Sequence, residues 1–262
     1  MRESLLQYNK FSTYGSQLGR NNNFAEAELL ALEDAYSMLP GGALGGNALS
    51  DDCRFVFDRG DGAYFWDLSN NIYIDYCLGS GPLVLGHAHH SVTSAVKEQA
   101  EKGLHFFAYL NKNAVELARL VIEMVPCAER IRFTNSGSEA TFHAIRLARG
   151  VTGRDKIVKV EGGYHGHHDE VMISNKPSLD EAGPAHAPRS VPQSGGIPHA
   201  VVEDVRVVPF NNPDALECAL APGDVACFIV EPVMENIGIC LPDDGYLEKV
   251  RNITERHGTL LI

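Results

Sequence analysis

The sequence has no run of eighteen or more uncharged apolar residues, so it offers no helix able to span a bilayer. It also lacks a basic segment leading into an apolar stretch with a small-residue cleavage site. Neither a membrane span nor secretion is predicted, and a cytoplasmic location is expected. The six cysteines, Cys53, Cys77, Cys127, Cys218, Cys227 and Cys240, form no CxxC pair. Five of them stand beside apolar neighbours, which predicts reduced, mostly buried thiols rather than a disulfide framework. Basic residues are scarce: 22 Lys and Arg face 34 Asp and Glu, for a net charge of -12. A nucleic-acid backbone requires a basic surface, so nucleic acid is excluded as the main partner. A small anion held in a local pocket is not.

What the chain has is enough apolar material for a sizeable core, 44% of 262 residues, as one large domain or a domain with a smaller lobe. Arg2 to Asn23 reads as an extended or partly helical arm, and Phe24 to Met38 as a helix with Leu29, Leu30, Leu32, Ala35 and Tyr36 giving apolar contacts, stopped by Pro40-Gly41-Gly42. Gly41 to Ser50 has no clear element. Phe55 to Phe57, Ala63 to Asp67 and Ile72 to Tyr76 predict a small antiparallel meander, its first turn at Arg59-Gly60-Asp61-Gly62. Helices are predicted from Ser91 to Lys102 and from Asn113 to Met124. From there helix and strand alternate: strands at Lys156 to Val160, Val205 to Pro209 and Val225 to Val230, helices at Pro213 to Leu220 and Gly245 to His257. That alternation predicts an α/β sandwich with a mainly parallel sheet covered on both faces. The chain stops in Leu260-Leu261-Ile262, which reads as a core strand just starting, so a longer polypeptide is expected.

Three stretches carry chemistry. In Arg132 to Arg149 a short apolar run, Ile131 to Phe133, reads as the end of a strand and precedes the small-residue turn Asn135-Ser136-Gly137-Ser138. Glu139 then opens a helical pattern with Ala140, Ala144, Ile145, Leu147 and Ala148 on one side. The first turn of a helix leaves N–H groups unpaired, and with Gly137 admitting close approach and two serine hydroxyls beside it, a phosphate fits there. An ordinary serine cap explains the same residues. After the strand ending at Val160 comes Glu161-Gly162-Gly163-Tyr164-His165-Gly166-His167-His168-Asp169, in which an aromatic and a histidine can face a planar ligand. Metal binding by some of His165, His167, His168 and Asp169, or a plain glycine-rich surface, are the alternatives. Glu231 follows the apolar run ending at Val230, with Asn236 and Gly238 close behind. Ser174 to Val202 lacks a pattern and is expected to be a lid or entrance loop. His87, His89 and His90 have no matching cysteine or acidic pair, and no metal is predicted.

Taken as a set, these pieces resemble the class III aminotransferases, pyridoxal-phosphate enzymes of the aspartate-aminotransferase fold type I. The residues that carry the resemblance are Asn135 to Ala140, Arg146-Leu147-Ala148-Arg149, Thr152-Gly153-Arg154, Glu161 to His167, Glu231-Pro232-Val233 with Asn236-Ile237-Gly238, and His257 to Ile262. Asp67 to Tyr76 and Gly81 to His87 extend it toward the N-terminus, and within the family it lies nearest to glutamate-1-semialdehyde 2,1-aminomutase and its aminotransferase relatives. The resemblance implies a three-layer α/β/α sandwich, incomplete here, with a small lobe in residues 1–78 and part of the large cofactor domain in residues 79–262. It implies pyridoxal 5'-phosphate as cofactor. Ser136, Gly137 and Ser138 would hold its phosphate, Tyr164 would stack on the ring beside His165, Asn236 would approach the phenolic oxygen, and Glu231 would stand near the cofactor and substrate.

In this family an active-site lysine bonds the cofactor and moves the proton, and an aspartate pairs with the pyridine nitrogen. Both would fall after Ile262, so the 262 residues alone are expected to be inactive. The loop Gly45-Gly46-Asn47-Ala48-Leu49-Ser50 lacks the proline and arginine of aminomutases, and Ser80 replaces a tryptophan before Gly81-Pro82. An aminotransferase with small-molecule amino donor and acceptor is therefore the first reading. The alternatives are an aminomutase and a non-catalytic binding or assembly protein. A homodimer is implied for the whole protein.

Overall fold

The computed structural model describes residues 24–45 and 54–262. The expected N-terminal arm, Cys53 and most of the departing Gly45 to Ser50 motif lie outside these. The chain divides into two compact units, Met1–Val115 and Glu116–Ile262.

The first unit opens with α1 (Glu26–Met38), which ends where Leu39 turns extended before a 3-10 turn at Pro40–Gly42. Its buried residues are Leu32 and Glu28, whereas Leu30, expected to be a packing residue, is exposed. The Glu28 carboxylate accepts from Val56 N–H and from the Ser69 hydroxyl, so its burial is matched by donors. The antiparallel meander forms from β1 (Phe57–Asp61), β2 (Tyr64–Asp67) and β3 (Ile72–Ile74). Its first turn differs from expectation. Arg59, Gly60 and Asp61 pair with Trp66, Phe65 and Tyr64, and the chain reverses at Gly62-Ala63. Gly60 sits in the strand because the His87 ring lies against it: a Cβ there would come within 2.4 Å of the ring. His87 in turn bonds buried Asp75 at 2.8 Å, whose other oxygen takes the N–H groups of Cys77 and Leu78. The helices α2 (His90–Lys102), in this unit, and α3 (Lys112–Met124), most of which belongs to the second, form where the periodicity places them, yet neither buries a residue.

The second unit carries the core. After α4 (Gly137–Thr152) and β4 (Lys156–Val160), two short helices, α5 (Leu179–Ala182) and α6 (His199–Glu203), interrupt the long connection to β5 (Val205–Val208). Then come α7 (Pro213–Leu220), β6 (Val225–Ile229), α8 (Tyr246–Arg256) and β7 (Leu260–Leu261). The four strands are parallel in the order β5-β4-β6-β7. Strand alternation sends Val158, Val160 and Phe228 to one face, against Leu216 and Leu220 of α7 and Val250 and Ile253 of α8. Ile157, Val207 and Cys227 go to the other, against Ile145 and Ala148 of α4. The result is three layers.

Several expectations fail for physical reasons. Ile131 to Phe133 belongs to no strand, because no neighbouring backbone in this unit runs beside it to form a ladder. Leu147 faces solvent, the buried stripe of α4 being Ile145 and Ala148. Among the described cysteines only Cys227, in the centre of β6, is buried. Cys77, Cys127, Cys218 and Cys240 are exposed and free, since apolar neighbours in sequence do not ensure a covered position in space. The segment 174–202 is folded on itself rather than patternless, with Ser174 Oγ donating to Arg189 O and Arg189 N–H to Ala182 O. No helix among the described residues is long and apolar enough to cross a membrane.

Candidate active site at the carboxyl ends of β4 and β6

Adjacent strands β4 and β6 send their onward connections to opposite faces: β4 toward the α4 side through Val171 and Ile173, β6 toward the α7–α8 side through Tyr246 and Val250. Such a divergence opens a crevice at the strand carboxyl ends, where ligands of open α/β sheets collect. The loops that follow these two strands, 161–169 and 231–238, meet there. A Cβ on Gly162, at φ +81°, would sit 2.7 Å from Ile237, and Asn236 Nδ2 donates to Gly162 O at 2.9 Å. A Cβ on Gly166, at φ +116°, would sit 2.8 Å from Ser138 Cα, so glycine is needed to bring this loop against the start of α4.

Ser136 is the N-cap of α4: its hydroxyl oxygen accepts from Glu139 N–H, while Glu139 Oε2 accepts from Asn135 N–H at 2.6 Å. Ser138 Oγ accepts His167 N–H at 3.0 Å. Each serine therefore keeps its own O–H hydrogen to donate outward. Among the described residues the N–H groups of Gly137 and Ser138 meet no acceptor, and a Cβ on Gly137 would meet nothing within 4 Å. The capping and anion-binding readings of this turn are compatible, because acceptance by the oxygens and donation by the hydrogens use different ends of each hydroxyl.

Tyr164 is half exposed, and its N–H donates to Glu231 Oε1 at 2.7 Å. The other Glu231 oxygen accepts Glu235 N–H at 2.9 Å. Both carboxylate oxygens thus brace loops. His165 is buried, and burial pushes its imidazole down to about 3, helped by the positive charge of Lys159 and by His168. Among the described residues its Nε2 has no hydrogen-bond partner, nor has Glu161 Oε1. Burial holds the Glu161 carboxyl above its usual range against the pull of Lys159.

Three further residues, not among the expected site residues, hold the loop to α4 together with His168. Thr141 Oγ1 donates to His165 O at 2.6 Å and lies 3.1 Å from His168 Nε2. His168 Nδ1 lies 3.0 Å from Glu170, which also accepts from Arg149. These bonds, chiefly that to His168, draw the Glu170 carboxyl down to about 2. Thr141 and Glu170 carried no local signal, being polar residues on a helix and in a loop, and Arg149 stood out only as part of a family motif. Among the described residues no group of three or more His, Cys, Asp or Glu is arranged to hold a metal, and His168 of the histidine-rich loop is bonded to Thr141 and Glu170.

The model of the family described as Aminotransferase class-III matches residues 47–262. The chain belongs to the class-III aminotransferases. Curated relatives of this class-III chain include the glutamate-1-semialdehyde 2,1-aminomutases of Methanocaldococcus jannaschii, 44% identical over 88% of the chain and 53% of the relative, and of Methanothrix thermoacetophila, 45% identical over 88% and 52%. Among solved structures, an omega-transaminase from Sphaerobacter thermophilus superposes with a TM-score of 0.84 at 33% identity, over 90% of this chain and 54% of that one. A glutamate-1-semialdehyde aminomutase from Pseudomonas aeruginosa does so at 0.78 and 27%, over 99% and 54%. The chain spans about half the length of these relatives. Its three layers are the fold-type I architecture of that class.

Proposed function

We propose that the crevice binds pyridoxal 5'-phosphate and serves amino-group transfer. The observation that carries this reading is the start of α4: two unpaired N–H groups, a residue without a side chain and two hydroxyls with hydrogens to spare, all at one point. Ser136, Gly137 and Ser138 take the phosphate. Tyr164 stacks on the ring with His165 beside it, kept neutral by its surroundings. Asn236 retains one amide N–H beyond its bond to Gly162 and directs it to the phenolic oxygen. Glu231, with both oxygens bonded to loop N–H groups, orients the site and does not itself carry the proton. When bound, the cofactor supplies a ring that takes up electrons from the bond broken next to the amino nitrogen.

The transfer is between an amino acid or related amine and a keto acid or aldehyde. The missing aminomutase features at Gly45 to Ser50 and at Ser80 favour this. An intramolecular aminomutase is the second reading, favoured by the names of the curated relatives at 44% and 45% identity. A protein that also contains the family's lysine and aspartate separates the two. An aminomutase consumes glutamate 1-semialdehyde with no added acceptor, whereas an aminotransferase stalls after one equivalent unless donor and acceptor are paired. Cofactor retention without either turnover supports the non-catalytic alternative.

The 262-residue chain tests the cradle itself. Titrated with pyridoxal 5'-phosphate and with pyridoxal, it is expected to retain the phosphate ester at least tenfold more tightly and to lose that preference in Ser138→Ala. Equal affinity for the two compounds would overturn the reading.

A further inference from the structure

Lys159 lies in β4, in register with Val207 and Ile229, with no exposed surface. It shares the α4-facing side of the strand with Ile157, among Val171, Ile173 and Cys227. A leucine or methionine would fill that position without the cost of burying a charge. The ammonium instead donates to Gly163 O at 3.0 Å, Ile173 O at 2.5 Å and Asn175 Oδ1 at 2.7 Å, one acceptor for each of its three hydrogens. Burial draws the Lys159 ammonium down to about 7, and the negative charge of Glu231 and Glu161 opposes that fall and favours the protonated form that makes these three bonds.

The three acceptors belong to two segments with different tasks. Gly163 immediately precedes Tyr164 in the loop that faces the crevice. Ile173 and Asn175 flank Ser174, which is buried in the left-handed region at φ +50°. Ser174 O accepts Gly162 N–H at 2.8 Å, and its N–H donates to Val191 O at 2.7 Å. One cation thus gathers carbonyl and amide oxygens that would repel one another, and joins the Tyr164 loop to the root of the long 174–202 connection.

We propose that Lys159 is a positioning residue that fixes the ring-facing loop to the base of the 174–202 segment, so that Tyr164 and His165 are held ready for the cofactor. Donating all three bonds as an ammonium, it has no lone pair for bonding the cofactor, which separates it from the family's active-site lysine. The effect on cofactor affinity rests on the function proposed above, whereas the effect on the loop does not.

The test uses Lys159→Met and Asn175→Leu in the full 262-residue chain, with amide hydrogen exchange and pyridoxal 5'-phosphate titration. In Lys159→Met, exchange at residues 162–169 and 172–176 is expected to rise at least tenfold while β4 to β6 stay protected. Cofactor affinity is expected to fall about tenfold, and Asn175→Leu to fall between this variant and the parent. Unchanged exchange in the two segments overturns the proposal. Exchange raised equally across the sheet does so as well, since that marks a core lesion. If Lys159→Met does not fold, Asn175→Leu decides by the same local criterion. If the parent chain takes up no cofactor, the functional reading fails while the exchange result still judges the clamp.

Discussion

His165 shows how one buried ring makes the site sensitive to acid. Burial first, then the Lys159 charge and His168, lower its imidazole from 6.5 to about 3. Between these values the unfolded chain binds a proton that the folded chain refuses, so stability is complete above about 6.5 and is lost as pH falls toward 3. Glu170 adds a second loss in the same direction. Its carboxyl, drawn from 4.5 to about 2 chiefly by the bond to His168, contributes stability above 4.5 that disappears as pH falls toward 2. The two windows are separable. Replacing His165 with Gln should flatten the denaturation midpoint between pH 6.5 and 5, where one proton contributes up to about 1.4 kcal/mol per pH unit. The Glu170 loss should remain. A variant whose urea midpoint falls with pH as steeply as the parent's over that interval would refute the assignment.

At the scale of elements, the start of α4 is where local sequence and local structure agree best. The Ser136 cap and the bond from Asn135 N–H to Glu139 use signals confined to five consecutive residues. Ser136→Ala should destabilise the second unit by about 1 kcal/mol, read as a shifted chemical denaturation midpoint, and should weaken phosphate capture in parallel; a midpoint unmoved would assign the cap no role in folding. The same locality explains what was legible. β4, β6 and α7 could be read from apolar periodicity and bounding turns, and Ser136, Gly137, Ser138 and Tyr164 from their place after a strand or before a helix. Lys159 could not, because a lysine in an alternating strand looks like its solvent side, and only the parallel neighbours β5 and β6 enclose it. Gly60 failed similarly. It reads as a turn until His87, far along the chain, is known to pack on it. Ile131 to Phe133 has the composition of a strand, but pairing is a property of its neighbours.

Across the whole molecule, covered and uncovered apolar surface are unevenly shared. Both apolar core clusters belong to the Glu116–Ile262 unit. In the other unit the short segment 104–110 exposes Leu104, Phe106, Phe107, Tyr109 and Leu110, with Phe107 at 86% and Leu110 at 91%. So dense an apolar patch is costly in water and favours association with a second surface. A second copy of the chain is the occupant consistent with the homodimer that the family resemblance implies. The net charge of -12 opposes approach of two copies, and salt screens that repulsion while leaving apolar burial intact. Sedimentation should therefore show concentration-dependent association that strengthens as ionic strength rises from about 0.01 M to 0.15 M. Phe107→Ser combined with Leu110→Ser should shift it toward monomer without changing far-ultraviolet circular dichroism. Association that weakened with salt would point to ion pairs instead, and a double variant that associates as well as its parent would remove this patch from the interface.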